Sequence, residues 1–180
     1  MSQSLDPSLR GPITQDLILI AFVDRLRDQI DEYNDQNCWE TDDPIPLSHP
    51  GGNEFCTVSF GSGQFPSEFF AGGGSDTLTE AGSVIIAPTV PLQGDRPRRR
   101  RRRLVGEVDD PDKRTLLERK REILKALFAS DWEPASDDQP LLRDLPSPVA
   151  CSAPAEVTVG EALMLQMRIS IQTVFDWDIQ

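Results

Sequence analysis

The segment RPRRRRRR sets seven arginines, Arg96 and Arg98, Arg99, Arg100, Arg101, Arg102 and Arg103, within eight positions. Guanidinium groups at this density have one chemistry to offer, the binding of phosphate or carboxylate oxygens through charge-assisted and often bidentate hydrogen bonds. The chain around them is acidic. Its net charge is -12, and without those seven arginines 11 basic side chains face 30 acidic ones, a balance of -19. Seven adjacent like charges repel one another, so the tract is either a solvated insertion or is matched by an anionic partner. Two partners fit. One is DNA passing through a channel, with contacts that are blind to sequence and weakened by salt. The other is an acidic protein neighbour, such as Asp109 and Asp110, or Asp42, Asp43, Asp137 and Asp138, of an adjacent subunit. The acidic body favours the protein neighbour, because it would repel DNA. A free nucleic-acid-binding patch has weaker support: Phe55, Phe60, Phe65, Phe69 and Phe70 all lie outside the tract, so no stacking platform interleaves with it.

Other reactive side chains are sparse. Glu40, Asp42 and Asp43, and Asp109, Asp110 and Asp112, could hold a hard cation, but neither group has the glycine and closing glutamate of a calcium loop, and solvated surface is the better reading. Cys38, Cys56 and Cys151 have no metal-site spacing and read as free thiols. His49 stands alone in a proline-rich stretch. No phosphate-binding glycine loop, nucleophile elbow or zinc-protease motif occurs. The expectation is a protein without catalytic, cofactor or metal site. No apolar run approaches the ~20 residues of a membrane-spanning helix, and MSQSLDPSLRG lacks the order of a secretory signal, so a cytoplasmic product is expected.

The elements that would position these groups follow from periodicity. Ile13, Leu17, Ile20, Val23, Leu26 or Arg27, Ile30 and Tyr33 recur at steps of three or four and predict a helix of about 20 residues, with Thr14 as N-cap and Asp16 in the first turn. Pro44, Pro46, Pro50, Gly51 and Gly52 make residues 38–54 a loop. FCTVSF alternates and predicts a strand ending near Gly61, followed by a glycine-rich turn region. SVIIAPTVPL reads as a short strand that Pro88 and Pro91 confine to an edge. Asp110 and Pro111 suit the start of a second helix whose stripe is Leu116, Leu117, Ile123, Leu124, Leu127 and Phe128. Arg119, Lys120, Arg121 and Lys125 are expected outside, and Trp132 and Pro134 end the helix. Residues 133–155, with five prolines, read as another loop.

The last segment is the most regular. In LMLQMRISIQTVFDWDIQ one face carries Leu163, Leu165, Met167, Ile169, Ile171, Thr173, Phe175 and Trp177. The alternation predicts one strand of about 16 residues, roughly 50 Å if unbent, two to three times the usual length. Such a strand outruns the core of a domain this size, and the expectation is that it pairs with a neighbouring subunit through Met167, Ile169, Ile171, Phe175 and Trp177. The fold class expected is α+β, a mostly antiparallel sheet covered by two helices. It would form one domain over residues 1–180, with insertions at about 38–54, 61–82, 93–110 and 133–160.

This order of LILIAFVDRLRDQI helix, strand, excursion, TLLERKREILKALF helix and MRISIQTVFDWDI strand resembles the tail terminator (tail-completion, minor tail U-like) proteins of long-tailed bacteriophages. The resemblance covers residues 13–34, 83–90, 111–132 and 161–178 and is one of plan, without a signature motif. It implies a homo-oligomeric ring, usually a hexamer, in the virion tail or neck. Such a ring sits on the last ring of tail tube protein, stops its polymerisation and offers a docking face to the head-completion protein. The long loops and the arginine tract depart from that plan, and related folds serve as tube subunits and head-closure proteins.

Overall fold

A computed structural model describes residues 14–43, 53–63, 77–92, 115–128, 132–136 and 139–178. Helix α1 spans Thr14–Gln29 and buries Ile18, Leu19, Phe22, Val23 and Leu26. Its stripe is rotated from the expected one: Ile20 is 39% exposed, because the largest apolar side chain, Phe22, turns inward and meets the Trp132 ring edge-on at 5.0 Å. The helix stops short of 20 residues. Asn37 Oδ1 accepts the Asn34 N–H and Asn34 Oδ1 accepts the Gln36 N–H, a side-chain-closed turn that competes with further helix. Ile30 and Tyr33 still reach the core from this turn.

Helix α2, Leu116–Phe128, opens on a reciprocal cap. The Glu118 N–H donates to Thr115 Oγ1 at 3.2 Å while Glu118 Oε2 accepts the Thr115 N–H at 2.9 Å. The helix therefore starts at Leu116, after the Asp110–Pro111 start expected, and those two residues lie outside the described ones. Arg25 ties the helices together, donating from Nε to the Ala126 carbonyl at 2.9 Å and lying 5.8 Å over the Trp132 ring.

Both helices cover one face of a seven-stranded, mostly antiparallel sheet, as the α+β expectation requires. The strands are β1 Cys38–Glu40, β2 Phe55–Phe60, β3 Thr77–Pro91, β6 Ser147–Cys151, β7 Ala155–Val159, β8 Ala162–Gln166 and β9 Ile169–Asp178. A separate pair is formed by β4 Ala135–Ser136 and β5 Gln139–Pro140. The only parallel pairing among the described strands is β1 with β2. Under the helices, Cys56, Val58, Val84, Ile86, Ile169, Ile171 and Phe175 join the α1 and α2 stripes in the main core. Val90, Leu165 and Met167 extend it beneath Leu116.

The backbone of the sheet is a long antiparallel ribbon. Gln166 stands opposite Thr89 and Ile169 opposite Ile86, so β8 and β9 share one register on β3 with no residue inserted between them. The short gap at Met167 and Arg168 falls opposite Pro88, whose carbonyl accepts the Met167 N–H at 3.2 Å but which has no N–H to return. The long terminal strand expected from alternation is thus present, in two pieces. Its partner is β3, which is 15 residues long and begins at Thr77, inside the region read as a turn.

Two more stretches read as loop contain strands: β1 within 38–54, and β4, β5, β6 and β7 within 133–160. β7 and β8 form a hairpin with Val159 opposite Ala162, and Gly160 takes the left-handed conformation (φ 58°) that the tight turn requires.

Candidate functional site

The side chains expected to meet a neighbouring subunit lie inside this one. Met167, Ile169, Ile171 and Phe175 are 2%, 1%, 0% and 0% exposed. β3 and the two helices bury that face, which corrects the expected interface and its reason: the strand finds its full-length partner within its own chain. The side chain of Trp177 lies outside the described residues, as do Arg96 and Arg98–Arg103, His49, the Asp109, Asp110 and Asp112 cluster, and Asp137 and Asp138. Among the described residues no three His, Cys, Asp or Glu side chains are grouped as metal ligands, and no helix is long and apolar enough to cross a membrane.

The structure brings together a polar cluster that charge patterning hid. Arg119, expected at the surface, is 1% exposed. It sits in the α2 stripe, in step with Leu116, Ile123 and Ala126. Its Nε donates to Glu54, its Nη1 donates to Glu122 at 2.7 Å and to Glu32 at 3.3 Å, and its guanidinium lies 4.8 Å over the Tyr33 ring. One cation therefore joins the end of α1, the approach to β2 and α2. Burial alone would lower its pKa; the hydrogen bond to Glu54, then the charges of Tyr33, Glu54 and Glu122, outweigh burial and hold it above the ordinary arginine value. The stripe period itself carried the signal for its burial, together with Glu122 one turn away.

Beside this cluster Cys38 and Cys56 face each other across the parallel β1 and β2 pair as buried free thiols. Burial, then the adjacent Cys38, pushes the Cys56 thiol well up. Burial likewise raises the Tyr33 phenol, whose hydroxyl is itself buried. Held protonated in this way, the Cys56 thiol is a poor nucleophile. The cluster pins elements together.

No protein-family model matches this chain, and no curated protein matches it.

The remaining surface is defined by the two edges of the sheet. At one edge β1 pairs only with β2 among the described strands. Around it Asp28, Asp31, Asp35, Glu40 and Asp42 are exposed, and Arg27 is committed to the Cys38 carbonyl through Nε and Nη2. At the other edge β6 pairs only with β9 among the described strands, and all five of its residues are exposed. Ser152 N–H bonds the Arg168 carbonyl and Arg143 N–H the Val174 carbonyl, so even-numbered residues of this strand turn their peptide groups away from β3. By that alternation Pro148 faces outward, where its missing N–H costs no ladder bond, and a register shift falls at Val149. A proline and a bulge protect this edge against strand addition. Beyond Gln172, Arg143 caps β9 further: its Nη1 donates to Thr79 Oγ1 at 3.0 Å and lies 3.8 Å from Asp176 Oδ1, and Thr79 Oγ1 donates to the same carboxylate.

Proposed function

We propose that the chain is a structural subunit of a bacteriophage or phage-like particle, a ring-forming tail terminator or neck protein. It caps the tail tube, stops its polymerisation and offers the head-completion protein a docking face. The observation that carries this reading is the order of elements: a helix, strands β1 to β3, a second helix, short strands, and at the end of the chain β8 and β9, which together run along β3 in one register. The mechanism is capping. One side of the ring satisfies the contacts of the last tube ring, and the other lacks a surface on which a further tube ring can add.

The buried positions of Met167, Ile169, Ile171 and Phe175 move the proposed contact between subunits away from the terminal strand's inner face and onto the edges of the sheet. Arg96 to Arg103 would then meet either an acidic neighbour or DNA in the lumen. The tract alone favours a second reading, a nucleic-acid-binding adaptor, and deleting residues 96–103 separates the two. A ring subunit keeps its oligomer without the tract, whereas an adaptor loses nucleic-acid affinity, which would otherwise fall steeply with salt.

The capping role is tested by assembling the cognate tail tube protein with and without the purified chain and measuring tube length by electron microscopy. Short, uniform tubes with an extra terminal ring are expected. Tubes of unchanged length would refute the role.

A further inference from the structure

We infer that opposite edges of the sheet are complementary halves of one contact, so that the α2–β6 edge of one copy binds the α1–β1 edge of a second copy head to tail. The inference rests on the ring reading above and specifies its interface. The α2–β6 edge is apolar at its centre and basic at its rim. Val149 and Leu145 are 61% and 60% exposed, the two highest values among the described large hydrophobic side chains. Between the helix and the strand runs a groove of about 260 Å³, lined by Lys120, Leu124, Pro148, Val149, Cys151 and Ile169. Half-buried Lys120 at the groove and exposed Arg121 and Lys125 on the outer side of α2 make no ion pair among the described residues. The two helix carboxylates that could neutralise them are occupied elsewhere, Glu118 in the N-terminal cap and Glu122 on Arg119.

The far edge is the electrostatic counterpart. Asp28, Asp31 and Asp35, at and just after the end of α1, and Glu40 and Asp42, on and after β1, are all exposed, and none makes an ion pair among the described residues. The edges lie at opposite ends of the strand order, with β6 and β7 beyond β9 and β8 on one side and β1 beyond β2 on the other. A surface that meets a different surface of its own kind is heterologous, and repetition of such a contact closes a ring when the rotation between copies divides the circle. The unpaired cations of α2, with Asp144 the exposed acid beside Leu145, meet an opposite edge that is acidic throughout Asp28, Asp31, Asp35, Glu40 and Asp42; that asymmetry favours one direction of addition over the pairing of like edges that a two-fold dimer would need. Pro148 and the register shift at Val149 keep the contact to side chains, so copies join without extending the sheet into an open fibre.

The test uses two full-length double variants, Lys120→Glu/Lys125→Glu and Asp28→Lys/Asp31→Lys, with circular dichroism to verify that each is folded. All four positions lie on the helix surface or just beyond it. Each variant alone places like charges at every contact and should weaken self-association by at least about tenfold in native mass spectrometry and light scattering. Mixed one to one, they present opposite charges at every alternating contact, and the oligomer should return. Val149→Asp should weaken association without rescue by either partner. If both double variants assemble as the wild type does, the edge assignment is wrong while the ring reading stands. If each loses assembly but the mixture stays dissociated, the two edges are not each other's partners. A wild-type chain that never associates overturns the ring reading and this inference together.

Discussion

Replacing Arg119 with alanine removes the cation that holds three elements. The guanidinium is 1% exposed and serves Glu54, Glu122 and Glu32, whose side chains are 23%, 27% and 45% exposed. Breaking a buried ion pair from one side costs about 3–5 kcal/mol, because the partner charges stay behind unpaired. Here those carboxylates keep access to water and can rehydrate, which places the cost at the low end, about 3 kcal/mol. For a chain of this length each kcal/mol shifts Tm by roughly 2–4 °C, so a fall of about 6–12 °C is expected. Arg119→Lys keeps the charge but cannot serve three carboxylates or stack as well on Tyr33, and should lose about half as much. Urea denaturation followed by far-UV circular dichroism, with unchanged m-values, gives the numbers directly. An Arg119→Ala protein within about 0.5 kcal/mol of wild type, the range of ordinary surface substitutions, would mean that Arg119 is not buried as described.

Ile171→Asp puts a carboxylate at a position with no solvent exposure and should unfold the subunit, at about 4 kcal/mol or more, rather than merely stop assembly; a soluble, folded monomer would show that this face is an interface after all. Thr115→Ala should cost about 1 kcal/mol through the lost cap, and Glu118→Ala on top of it should add little, because the two side chains work as one box; fully additive losses would argue against that. In the native chain a thiol-alkylating reagent should modify Cys151 and leave the buried Cys38 and Cys56 until unfolding, so prompt labelling of all three by mass spectrometry would contradict the burial. The raised Cys56 and Tyr33 groups keep their protons in the folded state, so their contribution to stability is complete below the ordinary thiol range of about 8.5 and falls as pH rises above it. Melting temperatures should therefore decline on the alkaline side, and Cys56→Ala should move the start of the decline toward the ordinary phenol range of about 10.

What could be read from the sequence and what could not divide along physical lines. α1 and β9 stand out because each buries one face, and a single period of 3.6 or 2 records that; β2 alternates apolar and hydroxyl side chains although both of its faces are buried. The amphipathic alternation survives residue by residue from Met167 to Asp176, whereas in β8 both faces are covered and Met164 and Gln166 of the expected outer face are buried. The first half of β3 was hidden for the converse reason: Thr77–Gly82 has little apolar alternation and a glycine, and is a strand because β9 pairs with it across 90 or so residues of chain. Pro88 argued for an edge strand, yet β3 is central, since the only donor lost is the one that would have met Met167. The β7–β8 hairpin carried a legible signal, Gly160 and Glu161 between two alternating runs, masked by the surrounding prolines. Arg119 was misread through its charge: periodicity placed it in the stripe, and only the three carboxylates, two of them distant in sequence, explain how it stays there. The consequential error was to treat strand length as a demand for a neighbour. A second long strand in the same chain, β3, meets that demand.

Native mass spectrometry of the full-length chain, across a concentration series at low and physiological salt, tests self-association most directly. The account predicts a discrete, closed species, sixfold on the resemblance to tail terminators, that weakens as salt rises. A chain that stays monomeric throughout, or that forms open-ended assemblies of indefinite size, would contradict it.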